Sequence, residues 1–467
     1  MLLHNNANVK IPERDILEGN ILRVIFALGW PVMVTSLLEI GYNMADTFWL
    51  GRWGGGANAT NAVAAMEIAW PIIFVMISIS LGFGVAGISL VSQYTGAGRV
   101  DKAAESAGQL VSLGILMSII LSIAGILIAP YFLKIMNVDP AVERYAYQYM
   151  VIIFLGIPFM FITAIFVSAL RSYGDPITPM LVDSLGVGAN IILDPIFING
   201  FFGFPELGVV GAALATVITR SISSAIALYL LFHGISGLKI KLKHLRLKWN
   251  FAKKVFQIGL PASAGQFSSA FGFFILAWII ASLPNSTVAL AAYGVGDRII
   301  NITFIVVDGI GMGMATMIGH ALGAEKYERA REAFKTSLRI TFLILAIGTA
   351  LIMIFRHQMV AFFVPQSPNV IEEGAKFLII FGIGIPFFGI IATVEGLYRG
   401  AGYTVPLMII DIVRLWVFRI AFSYLLGIFF ALGSTGVWIG MAISNIASAI
   451  LAIGFYLSGS WKRRVIE

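Results

Sequence analysis

The sequence has no cysteine and little charge. Of its 467 residues, none is Cys and only 12% are Asp, Glu, Lys or Arg, whereas a soluble domain averages about 25% charged residues. Without Cys the chain can form no disulfide, thiolate nucleophile or cysteine metal site. The five His residues form no HxxxH or HxH pair, so they give no zinc signal. These absences exclude a cytosolic enzyme, a nucleic-acid-binding protein and a secreted disulfide-rich module.

Apolar residues fill most of the chain. They make up 59% of the sequence, and the mean hydropathy is +0.91, which is typical of a protein with many membrane spans. We predict an all-α integral membrane protein whose twelve helices cover 21–48, 59–90, 106–133, 145–170, 179–200, 208–233, 255–283, 288–320, 336–360, 376–398, 405–430 and 436–458.

The basic residues predict the topology. Most of the 31 Lys and Arg residues lie in segments that share one side of the membrane, and by the positive-inside rule this side is cytoplasmic. Both termini are then cytoplasmic, as an even number of spans requires. The net charge of +7 is explained by these loops and does not indicate nucleic-acid binding.

A repeat with a nearly constant offset divides the chain. Gly29-Trp30-Pro31 matches Gly259-Leu260-Pro261 at an offset of 230, and further pairs follow in order at 227 or 228. Because each half holds an even number of helices, the halves are parallel repeats related by a pseudo-two-fold axis along the membrane normal, as in transporters. The predicted lobes are an N-lobe with helices 1–6 at residues 21–235 and a C-lobe with helices 7–12 at residues 255–460. A cytoplasmic N-terminal segment (1–20), a basic cytoplasmic linker (236–254) and a basic cytoplasmic tail (461–467) complete the chain. The linker is either a solvated cytoplasmic loop or a basic amphipathic stretch that lies on anionic lipid.

Acidic residues inside membrane helices are costly and therefore indicate function. On the fifth helix, Asn190 and Asp194 share one face, while Tyr42 and Asp46 share a face of the first helix with Glu39 and Asn43. Both aspartates lie past the midpoint of their helices, so they can meet in the outer half of one lobe. Such a pair carries a proton or binds a cation, because two carboxylates in low dielectric cannot both stay ionised alone.

Two neutral residues extend this predicted site. Asn190 and Thr216 would complete an oxygen shell for Na⁺ or H₃O⁺, or they would simply hydrogen-bond neighbouring helices. Pro31 is a candidate bend in the first helix. The remaining candidates, which lack an obvious cation at helical spacing and are expected to line a cavity, are Glu39, Asp183, Asp308 and Glu395, together with Tyr42 and Asn43 from the first-helix face.

Several motifs together resemble the MATE (multidrug and toxic compound extrusion) family of transporters. The resemblance covers about residues 15 to 458. The motifs are Tyr42-Asn43-Met44-Ala45-Asp46, Gly96-Ala97-Gly98, Arg171-Ser172-Tyr173-Gly174-Asp175-Pro176, Asn190-x-x-x-Asp194-Pro195 and the run from Gly208 to Thr216.

The resemblance implies a secondary antiporter that exports organic, often cationic and aromatic, compounds in exchange for H⁺ or Na⁺. In the branch with an acidic site in the N-terminal lobe, the matching positions are Asp46, Asn190, Asp194 and Thr216, with Pro31 at the bend. The other branch has a Glu on the seventh helix, but this chain has no acid between Val255 and Leu283.

The main alternative is a flippase of related architecture for lipids or lipid-linked oligosaccharides. Its anionic substrate would need a basic site, and four arginines inside the predicted helices are candidates to form one: Arg220, Arg298, Arg414 and Arg419. An enzyme is disfavoured because the sequence has no HExxH, GxSxG or clustered His. We expect a multi-pass protein of the plasma (inner) membrane that acts as a monomer on small organic molecules, with no cofactor beyond the coupling ion.

Overall fold

The computed structural model describes residues 10–136 and 138–466. The first nine residues of the predicted N-terminal segment and the last residue of the predicted tail lie outside this description. The described residues are helical almost throughout, and they include no β-strand beyond an isolated bridge between Ile235 and Leu238.

Six long helices form the first half. They are α1 (Ile21–Leu50), α2 (Gly56–Gly96), α3 (Val100–Met136), α4 (Pro140–Tyr173), α5 (Ile177–Asn199) and α6 (Val209–His233). Short helices cover Glu13–Glu18, Phe201–Gly203 and, in the linker, Leu242–Leu245.

Six further helices form the second half. They are α7 (Trp249–Ala281), α8 (Ser286–Gly323), α9 (Tyr327–Ile354), α10 (Pro368–Gly382 continued by Ile385–Ala401), α11 (the successive helical segments from Val405 to Phe429) and α12 (Gly433–Leu457). Short helices cover Arg356–Phe363 and Ser460–Lys462. Each of the twelve predicted helices therefore has a counterpart among the described residues.

Ten of these helices are individually long and apolar enough to span a membrane, and the bent pair that makes up α10 raises the number to eleven. In the remaining one, α11, π-helical stretches at Val413–Ile420 and Leu425–Phe429 interrupt the α-helix. The residues at these junctions keep right-handed helical dihedral angles, so α11 is one continuous helical segment.

The break in α10 is a local effect of sequence. The two parts of this helix meet at an angle of 52°, where Pro386 lacks an N–H group and its ring crowds the carbonyl of Gly382. Gly382 and Gly384 weaken the helix at the same point. At the matching position of the first half, Pro158 follows a single nearby glycine, and α4 continues without a break.

The chain divides into two compact units by its contacts. Among the described residues, the first unit contains residues 10–13 and Pro31–Ser263, and the second contains Arg14–Trp30 and residues 264–466. The start of α1 thus belongs to the second unit, and the start of α7 belongs to the first. The lobe bounds predicted from the sequence stay a prediction.

Paired glycines explain this exchange of helix starts. In the second unit Gly29 packs on the backbone of α8, where an added Cβ would lie 2.5 Å from the carbonyl oxygen of Gly309. In the first unit Gly82 of α2 packs on α7, where an added Cβ would lie 2.4 Å from the carbonyl oxygen of Gly259. The two contacts join matching positions of the repeat.

Candidate functional site

The aspartates predicted on α1 and α5 meet inside the first unit. Asp46 is 3% exposed and Asp194 is fully buried. Their carboxyl groups lie within hydrogen-bonding reach of each other, and Tyr42, one turn before Asp46, reaches the same carboxyl group. Two helices therefore place a pair of acids side by side.

Asn190 and Thr216 surround this pair. With its amide oriented to suit both neighbours, Asn190 donates from Nδ2 to Asp194 Oδ2 at 3.0 Å, and its carbonyl oxygen accepts from the backbone N–H of Thr216 at 3.3 Å. The hydroxyl groups of Thr216 and Tyr42 are 2.9 Å apart. We call Tyr42, Asp46, Asn190, Asp194 and Thr216 the acid-pair site.

The acid-pair site has spare capacity for positive charge. The Oδ1 atoms of Asp46 and Asp194 are buried and find no hydrogen-bond partner among the described residues. Arg220 of α6 stands over the ring of Tyr42, with 6.0 Å between the guanidinium carbon and the ring centre. Because two carboxylates this close repel each other in a buried setting, the site is suited to take up a proton or a small cation.

Pro31 is connected to a buried arginine through Thr35. The hydroxyl group of Thr35 donates to the carbonyl oxygen of Pro31 at 2.9 Å and accepts from Nη2 of Arg171 at 3.3 Å. Arg171 is only 8% exposed, although the charge pattern of the sequence places it on the cytoplasmic side. The negative charges of Asp183 and Glu39 act on its guanidinium and offset part of the cost of its burial.

Three predicted cavity-lining residues lie outside the acid-pair site. Glu39 and Asn43 are exposed, and the side chain of Asn43 donates to the backbone carbonyl of Glu39 at 3.0 Å. Asp183 is buried and faces Arg171. The shared helix face of α1 therefore contributes Tyr42 and Asp46 to the site but not the other two side chains.

The other two predicted residues, Asp308 and Glu395, line a cavity of about 480 Å³ in the second unit. The expectation that Glu395 lacks a cation at helical spacing is wrong, because its Oε2 lies 3.4 Å from Nη2 of Arg399. Their i,i+4 spacing on a helix is a signal that was available in the sequence. The i,i+3 pair of Asp411 and Arg414 also forms, at 3.3 Å.

The donor set of the acid-pair site is small. Across residues 10–136 and 138–466, no three His, Cys, Asp or Glu side chains converge as metal ligands do. Two carboxylates, one amide and two hydroxyl groups suit a proton or a weakly held monovalent cation better than a divalent metal.

The repeat seen in the sequence and in the glycine contacts is also the pattern of a known family. The MatE family model matches residues 31–196 and again residues 261–425. The chain belongs to the MatE family. The resemblance found in the sequence is thereby confirmed, while the assignment to the branch with an N-lobe cation site stays a prediction.

Relatives match over nearly the full length. The chain is 28% identical to a probable multidrug resistance protein NorM of Thermotoga maritima, with 98% of this chain and 96% of the relative covered. It is 25% identical to the FAD transporter of Shewanella oneidensis, with 93% of this chain and 96% of the relative covered.

A solved structure shares the fold. It shows the outward-facing conformation of a multidrug resistance MATE family transporter of the MOP superfamily. The match has a TM-score of 0.85 and 25% identity, and it covers 97% of this chain and 99% of the other. The predicted all-α membrane fold is therefore confirmed.

Proposed function

We propose that this MatE family member exports organic, often cationic and aromatic, compounds across the plasma (inner) membrane in exchange for H⁺ or Na⁺. Multidrug resistance in the names of a relative and a structural neighbour supports the substrate class. The observation that carries the ion coupling is the contact between the buried carboxyl groups of Asp46 and Asp194. The chain acts as a monomeric carrier and not as an enzyme, without a cofactor beyond the coupling ion.

The coupling follows from competition. Uptake of a cation by the acid-pair site neutralises its negative charge, which weakens the attraction of the first unit for a cationic substrate. Release of the cation restores that charge. One coupling free energy links the binding of the cation to the binding of the substrate, so each ligand lowers the affinity of the protein for the other by the same factor.

The proposed moving part is a bend of α1 at Pro31, a position that lies inside one uninterrupted helix in the structure. Pro31 cannot donate a backbone hydrogen bond, and the contact from Thr35 to its carbonyl oxygen ties this point of α1 to Arg171. Asp46 lies on the same helix. A change of charge at Asp46 thus reaches the bend through α1 itself, and alternation of access follows from movement of this helix.

The hydrogen bonds favour H⁺ as the coupling ion. Asn190 turns its NH₂ group, not its oxygen, toward Asp194, and the Thr216 hydroxyl is occupied by Tyr42. A sodium ion would lack the amide oxygen of Asn190 as a ligand unless the amide turned, although the Thr216 hydroxyl keeps a lone pair for it. A proton needs only the free Oδ1 atoms of the two aspartates.

A flippase or another carrier of anions is the second candidate. FAD carries phosphates, so the Shewanella oneidensis relative named for it moves an anionic molecule. The second-unit cavity, however, is lined by three arginines and four acids, namely Arg399, Arg414 and Arg419 with Asp297, Asp308, Glu395 and Asp411. This balance leaves no net positive charge for a lipid-linked phosphate, and this favours the multidrug exporter.

Purified protein in proteoliposomes tests the proposal. A pH gradient and a Na⁺ gradient are imposed separately, and uptake of a fluorescent aromatic cation is followed for the unaltered chain, Asp46→Asn and Asp194→Asn. We expect the pH gradient to drive transport and each variant to lose at least about 90% of the gradient-driven rate, because one carboxyl group alone cannot alternate its charge in the same way.

The matched control is Asp139→Asn. Asp139 is an exposed aspartate that caps the start of α4, and Asn is an equally good cap, so this variant should transport normally. Full gradient-driven transport by both site variants would falsify the assignment of the acid-pair site. Transport driven by Na⁺ alone would overturn the preference for H⁺, and transport of only phosphate-bearing lipids would favour the flippase.

A further inference from the structure

The exposed surface of α9 changes from basic to apolar along the helix. Every fourth residue from position 331 to position 351 is exposed, and residues four apart on a helix are neighbours. Three cations come first and three apolar residues follow, and we call these six the α9 row: Arg331, Lys335, Arg339, Leu343, Ile347 and Leu351. The apolar three are 57%, 61% and 52% exposed. A charged end continued by an apolar end is also the profile of a phospholipid.

α9 is longer than the hydrocarbon core of a membrane is thick. The helix is apolar enough to span a membrane and has 28 residues, which rise about 42 Å in total, whereas the core is about 30 Å thick. Because the apolar end of the row fills the core, the first two turns extend beyond it, and Lys335 and Arg339 lie at the level of the lipid headgroups. The charge pattern of the sequence predicts that this end is cytoplasmic, and the cytoplasmic leaflet carries anionic lipids.

Two cations of the α9 row have no acidic partner. Arg331 pairs with Glu328 at 3.6 Å, but across residues 10–136 and 138–466 Lys335 and Arg339 take part in no ion pair. Long basic side chains near the end of a membrane helix extend toward the headgroups. A phosphate group at this level is therefore the complementary partner of the two cations.

The matching surface of α3 in the first unit is built differently. At an offset of 227, the three cations are replaced by small residues, namely Ala104, Gly108 and Ser112. The linker covers this surface, because a Cβ added to Gly108 would lie 2.7 Å from the Cβ of His244. Beside it, the backbone N–H of Lys248 donates to the side-chain oxygen of Gln109 at 3.0 Å. The start of α3 thus packs against protein, whereas the same surface of α9 is exposed and basic.

We propose that the α9 row is a binding site for an anionic phospholipid of the leaflet at its basic end. The phosphate accepts hydrogen bonds from Lys335 and Arg339, and an acyl chain lies along Leu343, Ile347 and Leu351. A phosphatidylcholine headgroup adds a cation next to its phosphate, so it gains less from two basic side chains than a headgroup with a net negative charge does. The inference is independent of the ion and the compound that the protein transports.

Quenching of a fluorescent label by brominated lipids tests the proposal. The chain has no cysteine, so Leu343→Cys can be labelled with bimane at this one position. The full chain in detergent micelles then receives brominated phosphatidylglycerol or brominated phosphatidylcholine, because bromine quenches only a fluorophore that the lipid contacts. We expect half-maximal quenching by phosphatidylglycerol at an at least about fivefold lower mole fraction, since two basic side chains near the surface favour an anionic lipid.

A label at the matching position of α3 is the first control. Leu116 stands at the repeat position of Leu343 and is 47% exposed, but it follows the three small residues instead of three cations. Labelled Leu116→Cys should therefore be quenched equally by the two lipids.

Two double variants, each combined with the label at position 343, locate the preference. Lys335→Gln/Arg339→Gln should abolish the preference for phosphatidylglycerol, and because both side chains are exposed the variant should unfold at the same temperature as the parent. Lys243→Gln/Lys253→Gln removes the same net charge from exposed positions elsewhere and should keep the preference.

Three results would overturn the inference. Equal quenching by both lipids at position 343 would show that the α9 row does not select anionic lipid. A preference that survives Lys335→Gln/Arg339→Gln would mean that other groups attract the lipid. An equal preference at position 116, or its loss in Lys243→Gln/Lys253→Gln, would mean that the net charge of the protein attracts anionic lipid without a site on α9.

Discussion

In the first unit, Arg171 and Asp183 occupy the repeat positions that Arg399 and Asp411 occupy in the second. The side chains find different partners. Arg171 donates to Thr35 of α1, whereas Arg399 pairs with Glu395 on its own helix. The same helices thus carry two different arrangements of charge.

The surroundings of the buried acids differ more between the two units than those of the arginines do. In the first unit the buried aspartates Asp46 and Asp194 contact each other. In the second unit Glu395 and Asp411 also approach each other, but each of them has an arginine within 3.4 Å. A buried pair of acids is suited to take up a proton or a cation, whereas an acid with an arginine at ion-pair distance is already neutralised. This difference supports the proposal that the first unit carries the ion coupling.

The largest expected effect is a difference in gradient-driven transport between variants of the first unit and variants of the second. Asp194→Asn should reduce the gradient-driven rate at saturating substrate by at least about tenfold, because the first unit can no longer exchange a cation. Asp411→Asn/Arg414→Gln, which removes an ion pair of the second unit as a neutral unit, should leave this response to the gradient intact. Initial rates in proteoliposomes at several gradients measure the response of both variants.

If the double variant also loses the response to the gradient, the two units share the coupling and the comparison fails. The exposed variant Arg298→Gln serves as the control in the same assay.

A second prediction concerns the matching glycine contacts that both units contain. Gly29→Ala and Gly82→Ala should each destabilise the protein by about 1–3 kcal/mol, because the new Cβ meets backbone atoms that cannot move away cheaply. Gly41→Ala and Gly84→Ala are controls on the same two helices, since nothing lies within 4 Å of a Cβ at either position. Thermal unfolding of the purified variants measures the difference.

Similar losses for Gly29→Ala and Gly82→Ala would support the matching contacts of the two repeats. A loss at one position alone would mean that the helix start packs tightly in only one unit.

Much of this fold could be predicted from the sequence, because long apolar runs and the offset of the repeat are local or periodic signals. The predicted helices α3, α7 and α9 nevertheless begin too late, since their first turns carry Lys, Arg and Glu and interrupt the apolar pattern. The bend before Pro386 could not be predicted from the proline alone, because the matching Pro158 lies in α4, which continues without a break.

The candidate site was predictable where helical spacing decides it, as for Tyr42 with Asp46 and Asn190 with Asp194. The spacing of residues along a helix could not show that the NH₂ group of Asn190 faces Asp194 or that the hydroxyl groups of Thr216 and Tyr42 form a hydrogen bond. These contacts depend on how three helices pack. The burial of Arg171 was hidden for the same reason, since its partner Thr35 lies on another helix.

The smallest expected effect concerns the turn after the fourth helix of each unit, where Asp175 stands in the first and Tyr403 in the second. Asp175 is fully buried and accepts from the backbone N–H and hydroxyl group of Thr178, at 3.0 and 2.7 Å, and from the hydroxyl group of Ser236. It therefore ties the linker to the start of α5. In the second unit Tyr403 packs against Tyr398 and Arg463 instead.

Asp175→Asn should cost about 1–2 kcal/mol, because the new NH₂ group cannot accept from the two hydroxyl groups, and Tyr403→Phe should cost less. The loss should also depend on pH. Burial raises the pKa of Asp175 above its ordinary value of 3.8, so between these two pKa values the folded state holds more protons than the unfolded state, and its stability falls as pH rises. The advantage of the unaltered chain over Asp175→Asn is therefore greatest at acidic pH and shrinks as pH rises through that window. Thermal unfolding of both proteins across this range measures it, and an advantage that grows with pH would mean that hydrogen bonds to the carboxylate, rather than burial, dominate at this turn.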